Sequence, residues 1–237
     1  MTATGLLVFA RCAGFAFRAP GLAHPSVPPA VRAGMAALLA IAIAPGTRAA
    51  AAVDGIALVV ALGSEFLLGT AIGIAASLVY DAAYAGGRAV DDYTGVKAIA
   101  PSAQLVAPSG FGRIWSLAFT GAYFLLGVYR LTLLAFANSF ARVPAGAPFD
   151  ASAWGAYALS LASTVFAVGV AVAAPAIALS FVVHVAIGAL SRAIPRFGSF
   201  TLVFPPAFGA ALIATALAVP AVMQLAGRPL LSFPGSR

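Results

Sequence analysis

Apolar residues fill this chain in six long stretches, and the polar residues gather in the joints between them. The stretches run over 4–17, 31–44, 56–84, 111–140, 154–190 and 200–225. None shows the every-second-residue alternation of a barrel strand. Residues 56–62 are wholly apolar, and 165–183 carry no charge. In lipid each backbone polar group needs an internal partner, which leaves helices or a closed barrel. Without alternation in segments of about ten residues, a barrel is excluded. The pattern predicts an all-α integral membrane protein of helical hairpins, one embedded domain over residues 1–237.

The stretches differ in what they can do. At about 1.5 Å per residue the first two reach about 20 Å, short of a hydrocarbon core of about 30 Å. The first carries Arg11 at its middle. Between the two lie Pro20, Pro25, Pro28 and Pro29, which forbid continuous helix. This pair reads as a re-entrant or partner-buried hairpin. The third is long enough to span and carries Glu65, followed by Gly69 and Gly73 at the spacing that lets helix backbones approach. The most polar region, 86–108, holds Arg88, Asp91, Asp92, Lys97 and Gln104. It reads as a short amphipathic helix or loop ending in Pro101 and Pro108. The fourth stretch reads as one segment with Arg113 and Arg130. The fifth is broken by Pro175, and a basic turn from Arg192 through Pro195 to Gly198 leads to the last, which carries Pro205 and Pro206 early.

Composition narrows the function. The chain is 62% hydrophobic and 8% charged, with a mean hydropathy of +1.04, too apolar for a soluble surface. The net charge of +7 comes from 13 basic residues with no dense patch, so a nucleic-acid partner is excluded and lipid head groups are the expected neighbours. Cys12 is the single cysteine, His24 and His184 are the two histidines, and there are six acids. That inventory predicts no metal site, no cofactor and no catalytic centre. Ser64 and His184 lack a Gly-x-Ser-x-Gly context, and no phosphate-binding Gly-x-x-x-x-Gly-Lys occurs. The N-terminus has no basic region ahead of its apolar run, so it does not read as a secretory signal.

Two acidic positions stand out. An acid within an apolar helix is expensive and pairs or lines a polar cavity. Glu65 is therefore expected to meet Arg11 or Arg32, unless it lies at the interface. Asp91 and Asp92 have no histidine or further acid nearby, so a polar turn between hairpins is the simpler expectation than paired catalytic carboxylates.

Several segments, taken in order, resemble one family. They are Ala10-Arg11-Cys12-Ala13-Gly14 with Pro20, Val27-Pro28-Pro29-Ala30-Val31-Arg32, and Glu65 through Gly73. Ala85-Gly86-Gly87-Arg88-Ala89-Val90-Asp91-Asp92-Tyr93-Thr94-Gly95 follows, and last Ile187 through Phe197 with Phe200 and Pro205. Together they are similar to the FliR/SctT family of bacterial flagella and type III secretion injectisomes. Arg196, Gly198 and His184 depart from its usual residues. The resemblance implies a non-enzymatic subunit of an inner-membrane export gate that passes unfolded proteins. It implies FliP/SctR-type and FliQ/SctS-type small membrane partners and an FlhB/SctU-type switch protein. It also implies a pore seal near Gly86, Gly87, Asp91, Asp92, Gly95, Pro101 and Pro108, with the glycines allowing a hairpin shift. Arg11, Arg32, Glu65, Arg192 and Pro195 are then structural or inter-subunit polar positions. From the residues alone, the competing reading is a small-molecule transporter with Glu65 and Arg130 in a mid-membrane cavity.

Overall fold

The computed structural model describes residues 2–23, 27–47, 54–94, 110–148, 151–194 and 200–226. Seven α-helices carry them: α1 (Ala3–Arg18), α2 (Pro29–Ile43), α3 (Gly55–Thr94), α4 (Phe111–Leu125), α5 (Val128–Arg142), α6 (Ala151–Ala193) and α7 (Phe200–Ala226). No strand occurs among the described residues.

The joints follow from local chemistry. Thr2 caps α1, its hydroxyl accepting from the Gly5 amide at 3.3 Å. Pro29 opens α2, where a missing amide proton is harmless. The stretch expected as one segment over 111–140 is two helices, bent by 74° at a break. Gly127 makes that break with φ 72°, a left-handed conformation that a side chain would disfavour.

Three further expectations need correcting. The third stretch does not stop near residue 84: α3 runs on to Thr94 and takes in Gly86, Gly87, Asp91 and Asp92. α6 passes through Pro175 without ending, because one missing amide removes one bond from a ladder of many. The second stretch is not too short to cross. With its proline start and the 3₁₀ turn Ala44–Gly46 it makes 18 residues, and its composition suffices. Helices over 29–46, 55–78, 154–193 and 202–220 are each long and apolar enough to span a membrane, and the bent α4–α5 pair makes a fifth if it counts as one span. The architecture is all-α and multi-pass.

The described residues pack as two compact units, those within 1–78 with 120–161, and those within 79–119 with 162–228, so the division falls inside α3, α4 and α6. In the first unit α1 lies along the start of α3 with almost no space between backbones. A β-carbon at Gly69 would collide with the Arg11 carbonyl, one at Gly14 with the Phe66 carbonyl, and one at Gly73 would sit 2.9 Å from the Phe15 carbonyl oxygen. The order of these contacts makes α1 and α3 parallel, and α2 packs on α1. α5 packs antiparallel to α1, Phe15 stacking on Phe136 with centroids 4.3 Å apart.

The second unit is a four-helix arrangement around two apolar layers. One layer joins Ala82 and Ala83 of α3, Trp115 and Phe119 of α4, Val168 and Val172 of α6, and Ala218 of α7. The next joins Val90, Phe111, Ala176, Ala211 and Ala214. Reading positions from one layer to the next, α3 and α6 run one way, and α4 and α7 the other.

Candidate functional site

Each unit holds one buried polar cluster, built from side chains that apolar helices would otherwise exclude. In the first unit the centre is Arg11, 1% exposed, against Glu65, 0% exposed. The guanidinium grips the carboxylate by two parallel bonds. Nε donates to Glu65 Oε2, and Nη2 to Oε1 at 2.9 Å. This fork geometry is the strong form of an ion pair. Nη2 also donates to the Val143 carbonyl at 2.9 Å, and Nη1 to Ser139 Oγ at 3.3 Å. The Phe140 ring lies beneath, 4.2 Å from the guanidinium carbon. Glu65 Oε1 accepts a further bond from the Gly146 amide at 2.9 Å.

Sequence position explains why the pair can form. Arg11 and Glu65 sit at the glycine seam, where close helix approach brings a long side chain across to the neighbouring helix. Gly146 presents its amide from a turn with φ 79°. The cluster thus ties α1, α3, α5 and the joint after α5 into one body. Both oxygens of Glu65 are occupied, so the carboxylate has a structural task. Ser139, Phe140, Val143 and Gly146 were not legible as partners: two of the four contacts use backbone atoms, which any residue supplies.

In the second unit Asp91 is fully buried at the last turn of α3. Its carboxylate accepts from the Phe111 amide at 2.8 Å and the Gly112 amide at 3.2 Å. It is the N-cap of α4, supplied from twenty residues upstream, where the helix dipole also favours a negative charge. The expectation of a polar turn at Asp91 and Asp92 is therefore corrected. Both lie in helix, Asp91 inward and Asp92 exposed. Asp91 also joins the two chain ends that flank 95–109.

Gly86 and Gly87 are likewise not loose hinge points. A β-carbon at Gly86 would lie 2.7 Å from the Gly169 carbonyl oxygen, and one at Gly87 would lie 2.6 Å from the Gly112 Cα. Adjacent in sequence, they seat α6 and α4 on two sides of α3 at one level.

The remaining predicted positions are dispersed. Arg32 is half-buried in the first turn of α2, and Arg192 is exposed in the last turn of α6. Gly95, Pro101, Pro108 and Pro195 lie outside the described residues. His184, half-buried on α6, places Nδ1 2.7 Å from the Ser180 carbonyl and meets the Tyr93 ring edge-on at 5.7 Å. Among the described residues no group of three histidine, cysteine or acidic side chains could hold a metal.

The transporter reading loses its site on this geometry. Glu65 is saturated by Arg11 and Gly146, while Arg130 is exposed and rests on its neighbour Tyr129, 5.7 Å from the ring centroid.

No curated protein matches the chain. A family model described as bacterial export proteins, family 1, matches residues 2–232, essentially the whole length. The chain belongs to that family of bacterial export proteins, the FliR/SctT family.

Proposed function

We propose that this protein is a subunit of the bacterial type III protein export gate in the inner membrane, where it forms part of the pore wall and its seal. The observation that carries this reading is the family match across residues 2–232. The surface supports it. Large apolar side chains project outward from nearly every helix, among them Leu38, Ile41, Phe166 and Leu217. Such a surface requires lipid or other apolar helices around it. The small FliP/SctR-type and FliQ/SctS-type subunits fit that requirement, and an FlhB/SctU-type protein completes the entrance.

The task is conduction of unfolded chains rather than chemistry. In this reading the Arg11–Glu65 cluster holds the frame of the first unit. Asp91 fixes the base of the segment carrying Gly95, Pro101 and Pro108, which supplies the seal. Whether the gate serves a flagellum or an injectisome is set by the partners.

Co-purification tests the proposal. The chain is expressed with the two small partners and extracted in mild detergent. A stable complex holding one copy of this chain is expected. A chain that purifies alone or as a homo-oligomer overturns the reading.

A further inference from the structure

In the second unit the outer side of α3 is polar where its neighbours are apolar. Ala82, Ala83, Gly86 and Val90 turn inward, and on the opposite side Asp81, Ala85, Arg88 and Asp92 are all exposed. Their spacing puts the four on one helix face. Among residues 80–92 no large apolar side chain is exposed. Arg88 reaches back over the Tyr84 ring, its guanidinium carbon 6.0 Å from the centroid.

The two apolar layers fix the level of this stripe. Ala82 and Ala83 share a layer with Val168, Val172 and Ala218. Val90 shares the next with Ala176, Ala211 and Ala214. The stripe is therefore level with residues 168–176 of α6 and 211–218 of α7. Both stretches lie deep in uncharged helix. No Asp, Glu, Lys or Arg occurs from 151 to 191 or from 197 to 227, and Ala211 is the centre of the span Leu202–Pro220. At this level α6 and α7 turn Phe166, Val170, Ile213 and Leu217 outward, each more than half exposed. α4 is mixed, exposing both Arg113 and Leu117.

Outer faces like those of α6 and α7 require lipid or apolar helices. Charges at the level of an apolar span face water or a polar partner. The unit thus carries an apolar side and a charged side at one height, the form of a wall between an apolar shell and water. The apolar span of α3 ends at Leu78, and the charged stripe begins at Asp81 of the same helix.

We propose that the face of α3 formed by Asp81, Ala85, Arg88 and Asp92 lines a water-filled passage. Under the export-gate reading, on which this use of the face rests, it is the surface along which the unfolded chain slides. Acid, base and acid follow one another along it, so no single-sign field holds a passing segment of either charge.

Thiol accessibility tests the proposal. Single cysteines are placed in a Cys12→Ala chain, in membranes from cells that also produce the partner subunits, and treated with a charged methanethiosulfonate reagent. The thiolate is the reacting form, and each unit by which apolar surroundings raise a thiol pKa slows it about tenfold. Ala85→Cys and Asp92→Cys are expected to react at least about tenfold faster than Val170→Cys and Leu217→Cys. Equal, fast rates at all four would put the whole level in bulk water and overturn the passage. Stripe cysteines as slow as the two controls overturn it too, and their fast reaction in the isolated, detergent-extracted chain would then identify a polar partner helix as the occupant. An exported protein fused to a tightly folded domain, jammed during export, is expected to shield Ala85→Cys. A fast stripe that it leaves unshielded removes the export path from this face. Failure of the chain to co-purify with its partners overturns the function proposed above and leaves the thiol rates to decide the face.

Discussion

Replacing Glu65 by leucine removes the acid from the centre of the first unit and leaves a guanidinium that is 1% exposed without its counter-charge. Breaking a buried ion pair from one side costs about 3–5 kcal/mol. The Gly146 amide also loses its acceptor, adding about 1–3 kcal/mol if it stays buried. Against a total stability of about 5–15 kcal/mol, Glu65→Leu should bring the unit close to unfolding. Arg11→Leu should do comparable harm by leaving the carboxylate bare. The double variant is the informative one. With both charges gone, what remains unpaired is the Val143 carbonyl and the Gly146 amide, about 2–6 kcal/mol together. The two single losses sum to about 6–10 kcal/mol for the charges alone. Unfolding of the purified chain in mixed micelles, followed by far-UV circular dichroism, measures all four corners. The double variant should lie clearly above the sum of the singles, because the two backbone losses appear on both sides and the charge losses of about 6–10 kcal/mol appear only in the singles. Additive losses, or a Glu65→Leu chain within about 0.5 kcal/mol of the parent, would refute the claim that this pair holds the unit together.

Four other outcomes follow from the packing. Gly69→Ala should destabilise the chain severely, since its methyl meets the Arg11 carbonyl. Gly34→Ala on the open face of α2 should stabilise the isolated chain by up to about 1 kcal/mol, and paired melting curves compare the two. Asp91→Ala should cost about 1–2 kcal/mol through loss of the α4 cap, with faster hydrogen exchange at the Phe111 and Gly112 amides. Cys12, fully buried beside Arg11, should resist N-ethylmaleimide in the folded parent and react readily in Glu65→Leu. Rapid labelling of the parent would mean that the seam between α1 and α3 opens freely.

Helix content was legible because membrane burial leaves so few choices. Unbroken apolar runs exclude strands, and each run became helical, 111–140 as two helices. The ends were harder. α3 passes the polar residues Arg88, Asp91 and Asp92 because one side of that turn is buried in the second unit. There Val90 fills the apolar layer and Asp91 finds two amides. A local reading of polarity cannot see those amides, since they come from a helix that starts twenty residues later. Gly127 was hidden for the opposite reason: its neighbours are as apolar as any span, and only its left-handed backbone shows the bend.

The polar cluster of the first unit was half legible, and the division has a physical basis. Charge within an apolar helix demands a partner, so Glu65 pointed to an arginine, and two candidates stood within reach of the sequence. Choosing between them needed the register of α1 on α3, which Gly14, Gly69 and Gly73 set by steric exclusion rather than by attraction. Any β-carbon at those positions would push the helices apart and carry Arg11 away from Glu65. The seam and the ion pair are therefore one device. The glycines make the approach possible, and the pair makes that approach the stable one, with Gly146 and Val143 recruiting the far joint of α5. A Glu65→Leu, Arg11→Leu chain keeps the seam and loses the pair. It should fold with α1 still beside α3, yet leave the 143–146 joint free to exchange its amides.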